Sequence, residues 1–379
     1  MKIEKLSNET NVKNLLQKLG VDDGGVSILA SKMKQHIIYI KDLHVGGANI
    51  LKQDALSIGA DLAVPRGTVI AKEPQVDCIL IATEKQLKTL SRKELVQPFG
   101  LKNLALELQK ILKVHKEKDV EVMGVINANE DSFFNGSRFQ GKEAIATIEK
   151  MIEEGAKIID IGAVSSRPNA PLVSLEEELH RVKPILDTIK NNKLYNKVRF
   201  SIDSFEPEVI SLALDSGFNM VNDITGLEND EVCKLCAKYN ATAVIMHMQG
   251  KPQSMQDNPS YESVLSNVYE FLQNRVQKAE SFGISDIIVD IGIGFGKTLE
   301  DNLSLIKNLE HFASLDKKIL VGASRKSMID KIYSSSVEQR LPGTLALHQE
   351  AIRNGASILR VHDVAQHMQM IAIQNALNR

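Results

Sequence analysis

From Val122 to Val361 the chain repeats one arrangement eight times: a short unbroken apolar run, then a polar or glycine-rich cluster, then an amphipathic segment. The apolar runs are Val122–Ile126, Lys157–Ile161, Val198–Ile202, Met220–Val221, Ala243–Met246, Ile287–Val289, Ile319–Val321 and Ile358–Val361. Strands read as continuous apolar runs when both faces are buried, which marks a parallel sheet covered by helices. The segments between them, such as Gly141–Glu154, Leu175–Asn191, Tyr261–Phe282 and Leu341–Asn354, place apolar residues at helical period. Eight β/α units in roughly 260 residues is the size of a TIM barrel, whereas a doubly wound sheet usually has fewer strands and a dinucleotide fingerprint after the first. Residues 118–379 are therefore expected to form a (β/α)8 barrel. The polar clusters follow the carboxyl ends of the strands, the face on which such barrels carry their sites.

Residues 1–117 read as a smaller α/β domain of unknown role. The pattern predicts helices at Val12–Lys18, Glu84–Ser91 and Leu101–Leu112, strands near Val26–Leu29 and His36–Ile40, an apolar run Cys78–Ala82, and turns at Gly46-Gly47 and Pro65-Arg66-Gly67. The charged stretch Lys113–Asp119 is a candidate linker.

Bulk composition narrows the partners. A formal charge of −2 leaves no basic footprint, so nucleic acid is not expected, although local basic groups can still bind a small anion. The chain has no apolar stretch of the ~20 residues that span a bilayer, and its first residues do not resemble a signal-peptide core. No membrane association and a cytoplasmic location are therefore expected. Three cysteines, Cys78, Cys233 and Cys236, do not suggest a disulfide framework, and the Cys-x-x-Cys pair falls inside a helical pattern with no second pair to complete a zinc site.

Each cluster carries its own chemistry. Asn127, with the acidic loop Asn129–Asp131 after it, offers oxygen ligands suited to Mg²⁺, while Ser165, Ser166 and Arg167 in the second cluster offer hydroxyls and a fork for phosphate. Asp203, Asn222-Asp223 and Asp290 end three further strands, and carboxylates beside an amide match a flat, NH-rich heterocycle. Gly292–Thr298 invites a nucleotide reading, but the P-loop spacing fails by one residue because position 291 is isoleucine. Its glycines are better suited to shaping a loop that brings Phe295 over a planar ligand. Ser324-Arg325-Lys326-Ser327 opens a helix and, with Arg360 and His362 at the last strand end, suits an anion.

Taken together, Asn127–Phe133, Ala163–Pro168, Ile202–Ser204, Asn222-Asp223, Met246-His247-Met248, Asp290–Lys297, Ser324–Ser327 and Arg360–Asp363 resemble, in order, the motifs of the dihydropteroate synthases. The resemblance covers essentially all of residues 120–379 and none of the first 117. It implies condensation of 6-hydroxymethyl-7,8-dihydropterin diphosphate with 4-aminobenzoate, giving 7,8-dihydropteroate and pyrophosphate, in a homodimer that uses Mg²⁺. It assigns the pterin to Asp203, Asn222, Asp290 and Lys326, with Met246 and Phe295 lining the pocket and Arg360 against the ring face. Asn127 is implied for Mg²⁺, Ser166, Arg360 and His362 for the diphosphate, and Asp131 for the cation that forms as pyrophosphate leaves; Arg167 can add its fork to the leaving phosphate. Phe295, Ser327 and the second loop are implied for the aminobenzoate.

The chain departs from the family in its loops: Asn129-Glu130 replaces Thr-Pro, Val164 replaces Glu, Ser166 replaces Thr and Ile291 replaces Pro. Two other readings remain at this stage. A pterin-dependent methyltransferase also presents strand-end Asp and Asn to a pterin but does not require the diphosphate set, and an inactive pterin-binding paralogue would be expected to lack Asp203, Lys326 or His362.

Overall fold

The computed structural model describes residues 1–7, 10–113, 119–127, 141–164, 173–250, 252 and 254–377. The chain divides into two compact units, Met1–His115 with Asn375–Arg379, and Lys116–Gln374.

In the first unit, strands β1 (Gln35–His44), β2 (Asp61–Ala63) and β3 (Gln75–Thr83) form an antiparallel sheet in the order β1-β3-β2. Leu43, Leu62, Leu80 and Ala82 on its inner face join Leu51, Leu87, Leu101 and Leu108 of the helices in one core. Two sequence expectations fail here. Val26–Leu29 lies in a helix, Asp23–Ala30, not in a strand. Its β-branched residues suggested extended chain, but Asp22 and Asp23 favour a helix start and the segment packs on the preceding helix, Val12–Lys18. Gly46-Gly47 is not a turn but the first turn of the helix Val45–Ser57, capped by His44 Nδ1, which accepts from Gly46 N at 3.0 Å. A Cβ on Gly47 would meet the Phe99 carbonyl oxygen at 3.0 Å, so close packing accounts for the glycine.

The second unit is a closed barrel of eight parallel strands: β4 (Glu121–Asn127), β5 (Ile158–Gly162), β6 (Arg199–Asp203), β7 (Met220–Asp223), β8 (Thr242–Met246), β9 (Ile287–Asp290), β10 (Lys318–Val321) and β11 (Ile358–Val361). Each apolar run read from the sequence overlaps one of them, with Lys157 and Val198 standing one residue ahead of β5 and β6. Successive side chains on a strand face opposite ways, and the two faces bury different things. Outward residues such as Ile159, Phe200, Ile202, Val289 and Val361 pack under the helices in the main core. Inward, Met123, Ile158, Met220, Val244, Ile288, Leu320 and Ile358 form a separate apolar plug, each contributing about 1.5–3 kcal/mol on burial.

The site follows from that parity. Two residues beyond the plug, the next inward positions are Val125 on β4, Asp160 on β5, Asn222 on β7, Met246 on β8, Asp290 on β9, Gly322 after β10 and Arg360 on β11. On β6 the inward buried residue is Ser201, and Asp203 stands two residues beyond it. A single apolar layer thus floors a polar mouth. No helix among the described residues is long and apolar enough to cross a membrane.

Candidate active site

One cavity at this mouth is lined by Asp203, Asn222, Ile224, Met246, Asp290, Ile293, Phe295, Gly322, Lys326 and Arg360. Seven of these residues were singled out from the sequence. Asp223, adjacent to Asn222, has the opposite parity and turns away: it accepts from Thr225 N and Oγ1, both at 2.7 Å, and from Leu227 N at 3.1 Å, closing the turn after β7.

The loop after β9 is braced on every side. Asp290 Oδ1 accepts from Gly292 N at 2.7 Å. Gly292, Gly294 and Gly296 all have positive φ, and a Cβ would approach the His247 carbonyl oxygen to 1.9 Å at position 292 and the Gln249 carbonyl oxygen to 2.3 Å at position 296. Only glycine lets this loop lie against the end of β8. Lys297, 1% exposed, turns inward, with Nζ 2.8 Å from Gly292 O, 3.0 Å from Phe295 O and 2.9 Å from His247 Nδ1. Burial lowers the Lys297 pKa to about 7 and that of His247 to about 3. This lysine is a strut within the loop, not a phosphate ligand. Thr298 and Asp301 then cap the next helix reciprocally. The result is a fixed Phe295, with Lys326 Nζ 4.3 Å from its ring centroid.

Across the cavity Arg360 is held between two carboxylates. Its Nε donates to Asp160 Oδ2 at 2.6 Å and its Nη2 donates to Asp203. Asn222 Nδ2 donates to the same Asp160 oxygen at 3.2 Å, while the buried Asp160 Oδ1 has no hydrogen-bond partner. Burial pushes Asp203 up to about 7, against the pull of Arg360, and the carboxylates of Asp160, Glu178 and Asp223 push the same way. Burial also raises Asp290, opposed by the Gly292 N–H and by Lys326, Arg360 and Lys297. Burial disfavours the charge on Arg360, but Asp160 and Asp203 outweigh it and hold the pKa above its ordinary value.

The remaining expected residues are placed less centrally. Asn127 ends β4 half-buried, and Ser327 and His362 are exposed and outside the cavity lining. Ser327 begins the helix Ser327–Ile332, with Lys326 at its N-cap, and His362 Nδ1 lies 2.9 Å from Ser324 Oγ. Arg360, expected against a ring face and a diphosphate, lines the cavity and pairs there with Asp160 and Asp203. Asp131, Ser166 and Arg167 fall outside the described residues, as does most of the candidate linker. Cys233 and Cys236 lie on the buried face of the helix Asp230–Tyr239, where burial raises both thiols.

Sequence reasoning missed Asp160, Ile224, Ile293 and Gly322 as site residues. Strand parity could have found Asp160 and Gly322, two residues beyond Ile158 and Leu320. Nothing in their local sequence distinguishes the two isoleucines from core residues.

Comparison with known proteins agrees with this geometry. The family model described as pterin binding enzyme matches residues 123–362. The chain is 41% identical to the bifunctional dihydropteroate synthase/dihydropteroate reductase of Helicobacter pylori over 375 residues, 99% of each chain. It is also 41% identical to the dihydropteroate synthase of Haemophilus influenzae over 263 residues, 68% of this chain and 93% of that one. A crystal structure of Yersinia pestis dihydropteroate synthase in complex with a sulfonamide drug superposes with a TM-score of 0.65 at 33% identity, covering 68% of this chain and 94% of that one. Barrel, strand-end chemistry and relatives coincide: the chain belongs to the dihydropteroate synthase family.

Proposed function

We propose that the chain condenses 6-hydroxymethyl-7,8-dihydropterin diphosphate with 4-aminobenzoate to give 7,8-dihydropteroate and pyrophosphate, a step of folate synthesis. The observation that carries this reading is the convergence of Asp203, Asn222, Asp290 and Lys326 on one cavity beside Phe295. The ring edge of a pterin presents paired N–H donors and a carbonyl oxygen; the carboxylates accept the first, Lys326 donates to the second, and Asn222 can do both. Phe295 and Met246 supply apolar surface for the ring face.

In the reaction the CH₂–O bond breaks with its electron pair leaving on the diphosphate, and the lone pair of the aniline nitrogen forms the new C–N bond as that nitrogen loses a proton. The positive charge developing on the pterin CH₂ lies in the field of Asp203 and Asp290, so no covalent nucleophile is required. Arg360 has two alternatives. In this structure its fork spans Asp160 and Asp203; pterin N–H groups arriving at Asp203 compete for that oxygen and free Nη2 for the leaving group, while Asp160 keeps hold of Nε. Asp131, Ser166 and His362 are assigned by family resemblance to the cation and the diphosphate, and Ser327 to the aminobenzoate slot, while the guanidinium of Arg167 suits the leaving diphosphate.

Mg²⁺ belongs to the same proposal. Asn127 offers one neutral oxygen at the half-exposed end of β4, as suits a hard cation that takes further ligands from substrate phosphate and water. When bound, it would neutralise charge on the diphosphate. A homodimer and a cytoplasmic location are likewise proposed, the first by family resemblance; light scattering on the purified protein tests it.

A second activity is proposed from the Helicobacter pylori relative, whose match extends through residues 1–117 and whose name includes dihydropteroate reductase. Reducing dihydropteroate needs a two-electron donor, so incubation with reduced nicotinamide or reduced flavin tests it: tetrahydropteroate formation supports the proposal and its absence with both donors opposes it. For the synthase, mass spectrometry of a reaction containing both substrates and Mg²⁺ should identify 7,8-dihydropteroate. Methyl transfer without that product would favour the methyltransferase reading, and pterin binding with no product the inactive paralogue.

A further inference from the structure

The loop after β10 carries Lys326, while Arg360 lies at the end of β11 and His362 in the loop that follows it. Two links between these loops lie near the surface: Ser324 Oγ is 2.9 Å from His362 Nδ1, and Arg325 forks onto Asp363 at 2.9 and 2.7 Å. A third link is buried and runs through two histidines that belong to neither loop. His348 lies in the helix Leu341–Arg353 and His367 in the helix Val364–Leu377, and both are 0% exposed. Ala323 N donates to His348 Nε2 at 3.0 Å, His348 Nδ1 lies 2.8 Å from His367 Nε2, and His367 Nδ1 lies 2.6 Å from the Asp363 carbonyl oxygen.

The ends of this chain fix every proton in it. The Ala323 backbone N–H can only donate, so His348 Nε2 carries the lone pair and Nδ1 the hydrogen. That hydrogen points at His367 Nε2, which must accept, so His367 also carries its hydrogen on Nδ1 and gives it to the Asp363 carbonyl oxygen, which can only accept. Each donor meets one acceptor. A second proton on His348 would aim Nε2–H at the Ala323 N–H, and one on His367 would aim N–H at N–H between the rings.

We propose that His348 and His367 are positioning residues for the condensation: a neutral two-imidazole strut that sets the spacing of the loops after β10 and β11, and so of Lys326 against His362 and the end of β11 that carries Arg360. The chain of hydrogen bonds stands on geometry alone, while its consequence for turnover rests on the synthase reading. Burial lowers both imidazoles, with each other, His362, and Asp363 paired to Arg325 as the titratable neighbours that bear on them, so the neutral forms persist at pH 7.

The test compares His367→Gln, whose amide can both accept and donate, with His367→Phe, which fills the space and can do neither, at a temperature where circular dichroism shows both folded. Expected is a kcat at least about tenfold lower for His367→Phe, with His367→Gln within about threefold of the unsubstituted protein, because rescue by a relaying side chain is what a space-filling role would not give. Equal kcat for Phe and Gln would overturn the proposal. Long-range ¹H–¹⁵N spectra of the unsubstituted protein supply a readout independent of variant folding and of activity. Both rings should be Nδ1–H tautomers at pH 7; an Nε2–H tautomer or an imidazolium at either position would overturn the strut. If the unsubstituted protein shows both tautomers yet releases no pyrophosphate, the synthase reading fails and not the hydrogen-bonded chain.

Discussion

Three glycines in one loop provide a graded test of what holds Phe295 in place. Gly292, Gly294 and Gly296 have φ of +66°, +82° and +63°, so alanine at each costs about 1–2 kcal/mol for the left-handed backbone alone. The space around them differs. At position 294 the added Cβ meets nothing closer than Lys326 Cδ at 3.4 Å, an ordinary contact with a flexible side chain. At position 292 it would stand 1.9 Å from the His247 carbonyl oxygen, and at 296, 2.3 Å from that of Gln249. Both obstacles are backbone, so the loop must lift from β8. Lifting it also pulls Gly292 O and Phe295 O away from the buried Lys297, at about 0.5–1.5 kcal/mol for each hydrogen bond. Gly292→Ala is therefore expected to cost on the order of 2–5 kcal/mol, as the sum of backbone strain and two lost bonds. Gly294→Ala is expected to cost about 1–2 kcal/mol. Urea unfolding of the three variants, with pterin binding measured calorimetrically at low temperature, separates the effects. Gly294→Ala should keep most of its stability, while Gly292→Ala and Gly296→Ala should lose most of theirs and bind pterin at least tenfold more weakly. Equal destabilisation at all three positions would refute the argument, since it would show that positive φ, and not contact with β8, is what requires glycine.

Other consequences can be checked with the same protein. Asp203→Ala and Lys326→Ala should each lower dihydropteroate formation at least a hundredfold while the far-ultraviolet circular dichroism stays unchanged; retention of a tenth of the rate by either would remove that residue from the pterin site. Asp160→Asn should weaken pyrophosphate inhibition more than pterin binding, because Asp160 holds Arg360 and does not line the cavity; an effect on pterin alone would reverse that assignment. The raised Asp203 pKa has a definite sign: the folded state holds a proton that the unfolded state has released, so this group's contribution to stability is complete below about pH 4 and is lost as pH rises through about 7. Asp203→Asn should then lose less stability than the unsubstituted protein between pH 5 and pH 8, and a larger loss in thermal scans would contradict it. Deleting residues 1–117 should leave a barrel that binds pterin, with unfolding of the truncated chain as the opposing result.

The barrel was legible because burial on both faces leaves an unbroken apolar run, and all eight runs overlap strands. Asp203, Asn222, Asp290, Phe295 and Lys326 were legible because strand ends place chemistry at one mouth. Asp160 was not, since the more conspicuous Ser165–Pro168 cluster drew the functional reading away from the strand itself. The seat of Arg360 lies beyond local sequence: its partner on β5 is 200 residues away and becomes a neighbour only when the barrel closes. Val26–Leu29 shows the converse limit, where β-branched composition was overridden by an acidic helix start and by packing on the neighbouring helix.

The central claim is that this cavity joins a pterin to an aniline at the expense of a diphosphate. Pyrophosphate release, followed with each substrate supplied alone and then with both in the presence of Mg²⁺, tests it most directly. The expected result is release coupled one to one with dihydropteroate when both substrates are present, and its loss in Asp203→Ala. Absence of release with both substrates, or release that persists undiminished in Asp203→Ala, would contradict it.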